Sequence, residues 1–567
     1  MNDFKTVDER AIAGSGSALV WIAGALVLLT SFPALFTRGL IGDDWTVDYI
    51  YWTEGLAGVT RTMLAVAHAG YSIPMDLFMI LGQDTPNVVA RIAGLGFHLL
   101  NGVLLYRILR QPAQTRPIAA LATALFYLSP FYAIRLTQNA LYDFFLFFYL
   151  LSYVLMVSPS RWLRWLAPVC LFFSLSLETL IALEPLRLLC IYGLSERWRP
   201  RIARSIPFGI AIVAIIVLRF TIMAKSGHYA GQYAPVHDIA RIRFAFSRHL
   251  HALPDSIGYA YREGFKFLGG SASAIAVLIT ATLFALLGAR TLRTPWLLRS
   301  SASKDNAGIL AAVGAAIILL GALPYALVGI YAEPTRGETR LLFPSQFGAL
   351  LLLAIGIQCF PAKRLRAAIA GGAIAVFALS TAHDAKWLLY DGLVTSDIQR
   401  QTRAALVAAP EPKVVELQIS AQDPLFFRGR CLAANDMNAA QMLLRDDSKP
   451  RTFIYTSNCG DFTNPDIVPR GRCPVSYLDG YACPARRETW VYNPAPGIPP
   501  LNNIGMVELM SAVLSPPAST TGGRGQLMKL TNDALSPLPR ADFKPPCGRP
   551  HLKAELWLLA LPTDYCR

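Results

Sequence analysis

Long apolar runs recur along the first two thirds of the chain and stop near residue 382. Runs of roughly 17–25 residues are long enough for an α-helix to cross a bilayer. The pattern predicts eleven membrane spans. The pair at 163–178 and 180–194 is either a tight hairpin or one long broken helix. The predicted spans are 18–36, 88–106, 117–133, 141–157, 163–178, 180–194, 206–224, 272–290, 307–330, 341–360 and 367–382.

After residue 390 the pattern changes to short apolar runs separated by Gly and Pro clusters. Runs of this length and composition are typical of β-strands. They fall at Lys413–Ile419, Thr452–Tyr455, Thr489–Tyr492 and Glu555–Leu559. The fold class is therefore a polytopic α-helical membrane protein with a β-rich or mixed α/β C-terminal domain. The predicted divisions are an N-terminus over 1–17, a membrane domain over 18–390 and a soluble domain over 391–567.

The composition supports a membrane protein and gives an orientation. Of the 567 residues, 54% are hydrophobic and only 16% are charged, which is few charges for a soluble protein. The formal net charge is +15, and most basic residues fall in alternate short loops between spans, as the positive-inside rule predicts for cytoplasmic loops. These loops hold Arg107, Arg110 and Arg116; Arg161 and Arg164; Arg197, Arg199, Arg201 and Arg204; Arg290, Arg293, Arg299 and Lys304; and Lys363, Arg364 and Arg366.

This bias places the N-terminus in the cytoplasm and, with an odd number of spans, the C-terminal domain outside. Nucleic-acid binding is a poor explanation of the charge, because the arginines are divided among many loops. The polar segment 1–16 does not resemble a cleavable signal peptide, and the first apolar run leads into Thr37-Arg38-Gly39 rather than a small-residue cleavage site.

The cysteines favour the same orientation. Cys170, Cys190 and Cys359 lie in apolar runs, where cysteine is usually a small core residue. An even set confined to one soluble domain predicts disulfides in an oxidising compartment. The set is Cys431, Cys459, Cys473, Cys483, Cys547 and Cys566. The pairing is left open. Zinc binding is the alternative, although Cys473 and Cys483 lack a close CxxC partner.

Two adjacent carboxylates follow the first apolar run, in the sequence Gly42-Asp43-Asp44-Trp45. Carboxylates at the mouth of a membrane helix are costly to keep near lipid, so they indicate a function. They begin an outer loop over 37–87, in which Trp45 and the aromatic residues after it suit a helix lying in the membrane interface. The alternative is that an Asp here caps the N-terminus of that helix.

A second outer loop, over roughly 225–271, is basic although it faces outward. Lys225, His228 and Arg262 are its candidate phosphate ligands. The alternative is a solvated helix that faces anionic lipid headgroups.

Other polar residues are predicted near the outer surface. They are Tyr142 and Asp143 at the start of the fourth span, Glu178 beside the fifth, and Arg336, Glu338 and Arg340 before the tenth. With the acidic pair they form one polar cavity in this interpretation. His98 and Asn101, inside a span, predict a helix-packing hydrogen bond.

The layout and the Gly42-Asp43-Asp44-Trp45 motif resemble the membrane-embedded GT-C glycosyltransferases over residues 18–382. Members of that family have many spans, an acidic motif in the first outer loop and often a soluble outer domain. Many carry Asp-Glu where this chain has Asp43-Asp44. They transfer a sugar from a polyprenyl phosphate or diphosphate to a hydroxyl of a glycan, lipid or protein, usually with inversion.

The resemblance implies specific roles. Asp43 or Asp44 is the general base, and Arg340, Arg336, Lys225, His228 and Arg262 are donor-phosphate ligands. Trp45, Tyr142, Asp143, Glu178 and Glu338 contact the acceptor or the sugar. It also implies a bacterial inner (plasma) membrane location and no cofactor, although Asp43, Asp44 and Glu178 are a candidate set for a divalent metal.

Two other classes of function fit parts of the pattern. A transporter or lipid flippase is also polytopic, but it places ionisable residues near the midplane, often in repeated halves. A non-catalytic scaffold would use the outer domain for glycan binding. Walker, Rossmann and HExxH motifs are absent from the sequence, which argues against a nucleotide-driven pump or a metalloprotease.

Overall fold

The computed structural model describes most of the chain. It covers residues 18–37, 44–65, 68–81, 86–110, 116–131, 140–194, 198–218, 236–268, 304–333, 341–420, 425–427, 432, 437–438, 440–441, 452–456, 472–474, 480–494, 497–515 and 523–542.

The chain forms two compact units, each made of segments that are distant in sequence. The first, which we call the helical unit, comprises Met1–Ser31, Ala93–Lys225 and Gly231–His383. The second, which we call the mixed unit, comprises Phe32–Ile92, Ser226–Ala230 and Asp384–Arg567. The first outer loop of the sequence analysis therefore belongs to the same unit as the C-terminal region.

Helices dominate the chain as far as residue 408. In chain order they are α1 (Ala18–Phe36, with a 3₁₀ turn over Phe32–Phe36), α2 (Asp44–Ala65), α3 (Ser72–Leu81), α4 (Pro86–Leu109), α5 (Arg116–Tyr127), α6 (Ala140–Met156), α7 (Arg161–Ser174), α8 (Glu184–Leu194), α9 (Trp198–Leu218), α10 (Ile239–Leu268), α11 (Lys304–Leu327), α12 (Phe343–Cys359) and α13 (Lys363–Ala408). A 3₁₀ helix over Glu178–Leu183 precedes α8.

Four described helices are long and apolar enough to cross a bilayer. They are Ala18–Phe36, Val88–Leu109, Ala307–Leu327 and Arg364–Ala408, of 19, 22, 21 and 45 residues. Each contains or overlaps a predicted span, and together they are compatible with a membrane protein.

The prediction of eleven spans is wrong, because several apolar runs form helices that are too short. At 1.5 Å per residue, the 12 residues of α5 extend about 18 Å, against a hydrocarbon core of about 30 Å. The 14 residues of α7 and the 11 of α8 fall short in the same way. Leu141–Met156, Ser205–Leu218 and Phe343–Cys359 are apolar helices of intermediate length. The predicted span 272–290 lies outside the described residues.

Glycines bring α11 and α12 into close contact in the helical unit. A Cβ on Gly348 would collide with the backbone oxygen of Gly314, and one on Gly321 would collide with the Ser345 hydroxyl. Small residues let two helix backbones approach closely, which is the usual basis of helix association in membranes. The predicted 307–330 and 341–360 segments therefore pack as a pair.

Helix α10 is amphipathic and packs through one face. Ala245, His249, Ala252, Ser256 and Ala260 are buried and repeat every three or four residues, as one side of a helix does. The opposite side exposes arginines and aromatic rings, as the sequence predicted for a solvated or headgroup-facing helix. They include Arg241, Arg243, Phe244, Arg248, Tyr261 and Arg262.

The end of α11 anchors the start of α10. Gly329 has a φ of +70°, and Ile330 N–H donates to the Tyr325 carbonyl at 2.9 Å, which is a Schellman-type helix end. A Cβ at Gly329 would lie 2.6 Å from Arg241 Nε. Val236 N–H donates to the Leu327 carbonyl at 2.8 Å, so the segment before α10 is held at this helix end.

The C-terminal part of the mixed unit contains a small mixed sheet. Its strands are β1 (Lys413–Ile419), β2 (Thr452–Thr456), β3 (Arg472–Pro474), β4 (Gly480–Ala482), β5 (Arg487–Asn493), β6 (Gln526–Thr531) and β7 (Ala534–Pro537), and α14 (Met506–Leu514) lies between β5 and β6.

The strand order of the main sheet is β2-β1-β5-β6-β7. The pairs β1–β2 and β1–β5 are parallel, and β5–β6 and β6–β7 are antiparallel. This confirms a mixed α/β domain, with strands at three of the four predicted runs; the fourth, Glu555–Leu559, lies outside the described residues.

One disulfide lies in this unit. Strands β3 and β4 form a separate two-stranded sheet, and Cys473 is bonded to Cys483 with a Cα–Cα distance of 5.1 Å. This agrees with the predicted disulfide chemistry. Cys431, Cys459, Cys547 and Cys566 lie outside the described residues.

Candidate functional site

The structure defines the end of the helix before the acidic pair and the start of the helix that its second residue begins. The first candidate span ends at Phe36 and α2 begins at Asp44. Asp43 is outside the described residues, and the side chains of Asp44 and Trp45 are not described. Their predicted roles therefore stay predictions, as does the N-cap alternative.

A buried arginine fixes the chain just before the pair. Arg91, near the start of α4, is 2% exposed, and its Nη1 donates to the Thr37 carbonyl at 2.6 Å. The Thr37 hydroxyl in turn donates to the Ala34 carbonyl at 2.7 Å. The segment that carries the acidic pair thus leaves α1 from a fixed point. Nothing in the sequence near Arg91 marks this partner, which lies 54 residues away.

Most predicted phosphate ligands lie outside the described residues. This is true of Lys225, His228, Arg336 and Arg340, and of Glu338 among the predicted acceptor contacts.

Arg262 is the predicted phosphate ligand that the structure does describe. Its side chain is 60% exposed, and Nε donates to Glu263 Oε1 at 3.3 Å. Glu263 Oε2 lies 4.0 Å from His383 Nε2, on α13. The guanidinium is therefore a surface group at one end of an Arg–Glu–His array, which leaves most of its area open to solvent or to a phosphate.

Asp143 is deeply buried in the helical unit. Its exposure is 0%. Asn101 Nδ2 donates to its carbonyl at 2.8 Å and to Oδ1 at 3.1 Å, and His98 Nδ1 lies 3.1 Å from the same carboxylate oxygen. This burial favours a role for Asp143 in packing α4 against α6. Contact between Asp143 and an acceptor stays a prediction.

The hydrogen bonds of His98 restrict where its proton lies. Nε2 is 3.1 Å from the Tyr127 carbonyl, which only accepts, so Nε2 carries a hydrogen. Nδ1 faces Asp143 Oδ1, so the His98 ring links α4 with α5 and α6. His98 and Asn101 on α4, which were predicted to make a packing hydrogen bond, both contact Asp143 on α6.

The two remaining predicted residues are partly buried. Tyr142 packs edge-on against Phe343, with ring centroids 5.3 Å apart. Glu178 is the first residue of the 3₁₀ helix Glu178–Leu183, which contacts α11 and α12.

A second buried ion pair, which the sequence analysis missed, follows that 3₁₀ helix. Arg187 is 1% exposed; its Nε donates to Glu184 Oε2 at 3.0 Å and its Nη2 to Ser152 Oγ at 3.0 Å. The Tyr149 hydroxyl donates to Glu184 Oε1 at 2.6 Å. The guanidinium also lies 4.2 Å from the centre of the Tyr153 ring. The i, i+3 spacing of Glu184 and Arg187 in an apolar run was the available signal.

The first outer loop also holds a carboxyl group that the sequence analysis did not single out. Asp76, on α3, accepts a hydrogen bond from the Thr60 hydroxyl on α2 at 2.9 Å. Burial raises the pKa of Asp76, and the hydrogen bond from Thr60 opposes that rise. At 10 residues, α3 is too short to cross a bilayer, so this group lies in the loop rather than in a span.

Among the described residues no group of three or more His, Cys, Asp or Glu side chains is arranged to hold a metal ion. The candidate set from the sequence includes Asp43, which lies outside them.

No family model and no curated protein matches the chain. The class that the fold defines is a helical protein with four candidate membrane spans among the described residues and a small mixed sheet. A disulfide closes a separate two-stranded sheet.

Proposed function

We propose that this protein is a GT-C-type glycosyltransferase of the bacterial inner membrane. It moves a sugar from a polyprenyl phosphate or diphosphate to a hydroxyl of a cell-envelope glycan, lipid or protein, with inversion. The observation that carries the proposal is the acidic pair Asp43-Asp44 between the end of the first apolar helix and the start of α2. This is the boundary where a lipid-linked donor would present its reacting carbon.

The orientation belongs to the proposal. The basic loops face the cytoplasm, and the acidic pair and the C-terminal sheet face outward. The disulfide Cys473–Cys483 supports this, because disulfides persist in oxidising compartments. This arrangement requires an odd number of spans in the whole chain, and so at least one span besides the four described candidates.

The reaction needs a base and a cationic site for the leaving group. One carboxylate of the pair takes the proton from the acceptor hydroxyl as its oxygen bonds to the anomeric carbon. The bond from that carbon to the phosphate oxygen breaks on the opposite face, and the lipid phosphate leaves with the electron pair. A general base contributes about 10²–10⁴-fold. Arginine forks bind phosphate oxygens bidentately, which suits Arg336, Arg340 and Arg262, and Lys225 and His228 are the further candidate ligands.

The test is transfer from a synthetic polyprenyl-phosphate sugar in inverted and right-side-out vesicles. Asp43→Asn or Asp44→Asn should lower turnover by about 10²-fold or more, while the protein remains in the membrane. Glu54→Gln is the matched control, because Glu54 is an exposed carboxylate on α2 that pairs with Arg61 at 3.1 Å. Full activity in both Asp variants would contradict the catalytic role and favour a non-catalytic scaffold.

A lipid-linked-substrate transporter is the second candidate, because two pairs of buried or largely buried ionisable side chains lie in the helical unit. His98–Asp143 and Arg187–Glu184 are ionisable groups of the kind that mark transport pathways when they lie inside membrane helices. A flippase would move a fluorescent polyprenyl phosphate across proteoliposomes without a sugar acceptor, and Asp143→Asn would change that rate. A transferase shows no such movement.

A further inference from the structure

A polar cleft of about 360 Å³ lies in the C-terminal part of the mixed unit. This volume is within the range of small-molecule sites, roughly 300–1,000 Å³. Its lining combines Arg524, Glu508, Ser511 and Ser515 with an apolar floor that includes Leu393, Ile498 and Ile504. The three floor residues are buried, so the floor is part of the core.

One wall of the cleft is Arg524, which is held at both its backbone and its side chain. Its N–H donates to Asp397 Oδ1 at 3.0 Å, and its Nη2 donates to the Ala512 carbonyl at 3.0 Å. Asp397 is itself buried and accepts from the Tyr492 hydroxyl at 2.7 Å. The guanidinium is therefore oriented before any ligand arrives, which lowers the entropic cost of binding.

Two other parts of the lining, Gly497 and Glu508, are held in place as well. Gly497 lies against the Arg524 backbone so closely that a Cβ there would collide with the Arg524 carbonyl. Glu508 accepts from the Gly505 N–H at 3.4 Å in a capping box at the start of α14. The loop 497–504 and α14 thus form a preorganised cleft rather than a gap between loose segments.

The charges of the lining select the ligand. Arg524 repels a cation and Glu508 repels an anion, so the net charge of the site favours a neutral molecule. Guanidinium, carboxylate and two hydroxyls together offer both donors and acceptors, and a sugar presents hydroxyls that do both. A peptide is less well matched, because none of the described residues that line the cleft belongs to a strand that could pair with its backbone.

The helix that lines the cleft contacts the end of the first candidate span. Helix α14 packs against Phe32–Phe36, the last turn of the first candidate span. The acidic pair follows that turn in the sequence.

We propose that this cleft binds a neutral carbohydrate. The further identification of that carbohydrate as the acceptor glycan rests on the proposed transferase function. Binding itself does not, so the two are tested separately.

The test is saturation-transfer NMR on the full chain in lipid nanodiscs, which avoids sugar-based detergents. The probes are maltose, cellobiose, lactose and mannobiose, with glucuronic acid and triglycine as comparison ligands. At least one disaccharide should show transfer. Ser511→Leu, which places a larger side chain in the cleft from an exposed position, should abolish it. Glu508→Gln keeps a cap but removes the charge-assisted hydrogen bond, and should weaken binding about tenfold.

Val507→Ser is the matched control, because Val507 is 76% exposed on the same helix and is not part of the lining. It should bind as the unmodified protein does. Absence of signal from all four disaccharides, equal signal from Ser511→Leu, or a signal from triglycine or glucuronic acid alone would overturn the proposal. None of those results would affect the transferase proposal, which is tested by the dependence of sugar transfer on Asp43 or Asp44. Likewise, disaccharide binding to the cleft can be observed even if no sugar transfer is measured.

Discussion

Two pairs of buried or largely buried ionisable side chains in the helical unit lie within hydrogen-bond distance of each other. His98 and Asn101 meet Asp143, and Arg187 meets Glu184. From the sequence, His98 and Asn101 were predicted only to make a packing contact, and the Arg187–Glu184 pair was not predicted. A side chain's partner depends on which helices become neighbours, and apolar runs do not encode that choice. Arg91 shows the same limit, since its partner Thr37 is 54 residues away.

Arg187→Met should therefore be strongly destabilising. It removes the counter-charge of Glu184 and leaves a largely buried carboxylate, a change that costs about 3–5 kcal/mol in other proteins. Thermal unfolding of the purified protein in nanodiscs measures the loss. Adding Glu184→Gln should recover part of it, because no uncompensated charge remains. An unchanged unfolding temperature in the single variant would mean that the pair contributes nothing to stability.

At the scale of elements, strands were predicted better than spans. The run Lys413–Ile419 forms β1 with the predicted bounds, because Val414, Val415 and Leu417 supply the apolar content that a buried strand needs. The run 117–133 fails as a span because its helix ends at Tyr127, before Ser129-Pro130. Proline disfavours helical geometry in the residue before it, and run length alone ignores that signal.

The α11–α12 contact gives a prediction at this scale. Gly348→Ala should destabilise the protein by roughly 1–3 kcal/mol, because the added methyl group meets the Gly314 backbone and overpacking of this kind carries such a cost. Gly356→Ala is the control on the same helix, since nothing lies within 4 Å of a Cβ there. It should be neutral or slightly stabilising, because Ala favours a helix more than Gly does. Equal unfolding temperatures for the two variants would show that the helices do not approach closely.

At the scale of the whole molecule, the sequence predicted a membrane-embedded helical part followed by a disulfide-bonded mixed domain. It did not predict that residues 32–92 join the C-terminal residues in one unit. Such an association depends on contacts like those between α14 and Phe32–Phe36, which are far apart in the chain. Less of the candidate site than of the fold can be compared with the sequence, because Asp43, Lys225, His228, Arg336 and Arg340 lie outside the described residues.

The proposed orientation can be tested by cysteine labelling in intact cells. Asp533→Cys, in the exposed β6–β7 turn, should react with a membrane-impermeant maleimide. Ser160→Cys, exposed beside the basic start of α7, should react only after permeabilisation. Both are made in a Cys359→Ser background, since Cys359 is an exposed free thiol. Labelling of position 160 in sealed cells, or protection of position 533, would reverse the proposed orientation.

Helix α13 has 46 residues, and those from Asp384 onward belong to the mixed unit. Its later turns supply Asp391, which accepts from the Phe427 N–H, and Asp397, which accepts from Gly525. A recombinant fragment that starts at Lys413, where the first strand begins, would lose both carboxylates and leave the Phe427, Arg524 and Gly525 amides without these acceptors. A recombinant C-terminal region should therefore include α13 from Asp384 onward. It should be produced together with residues 32–92 as a second polypeptide, because these residues belong to the same unit.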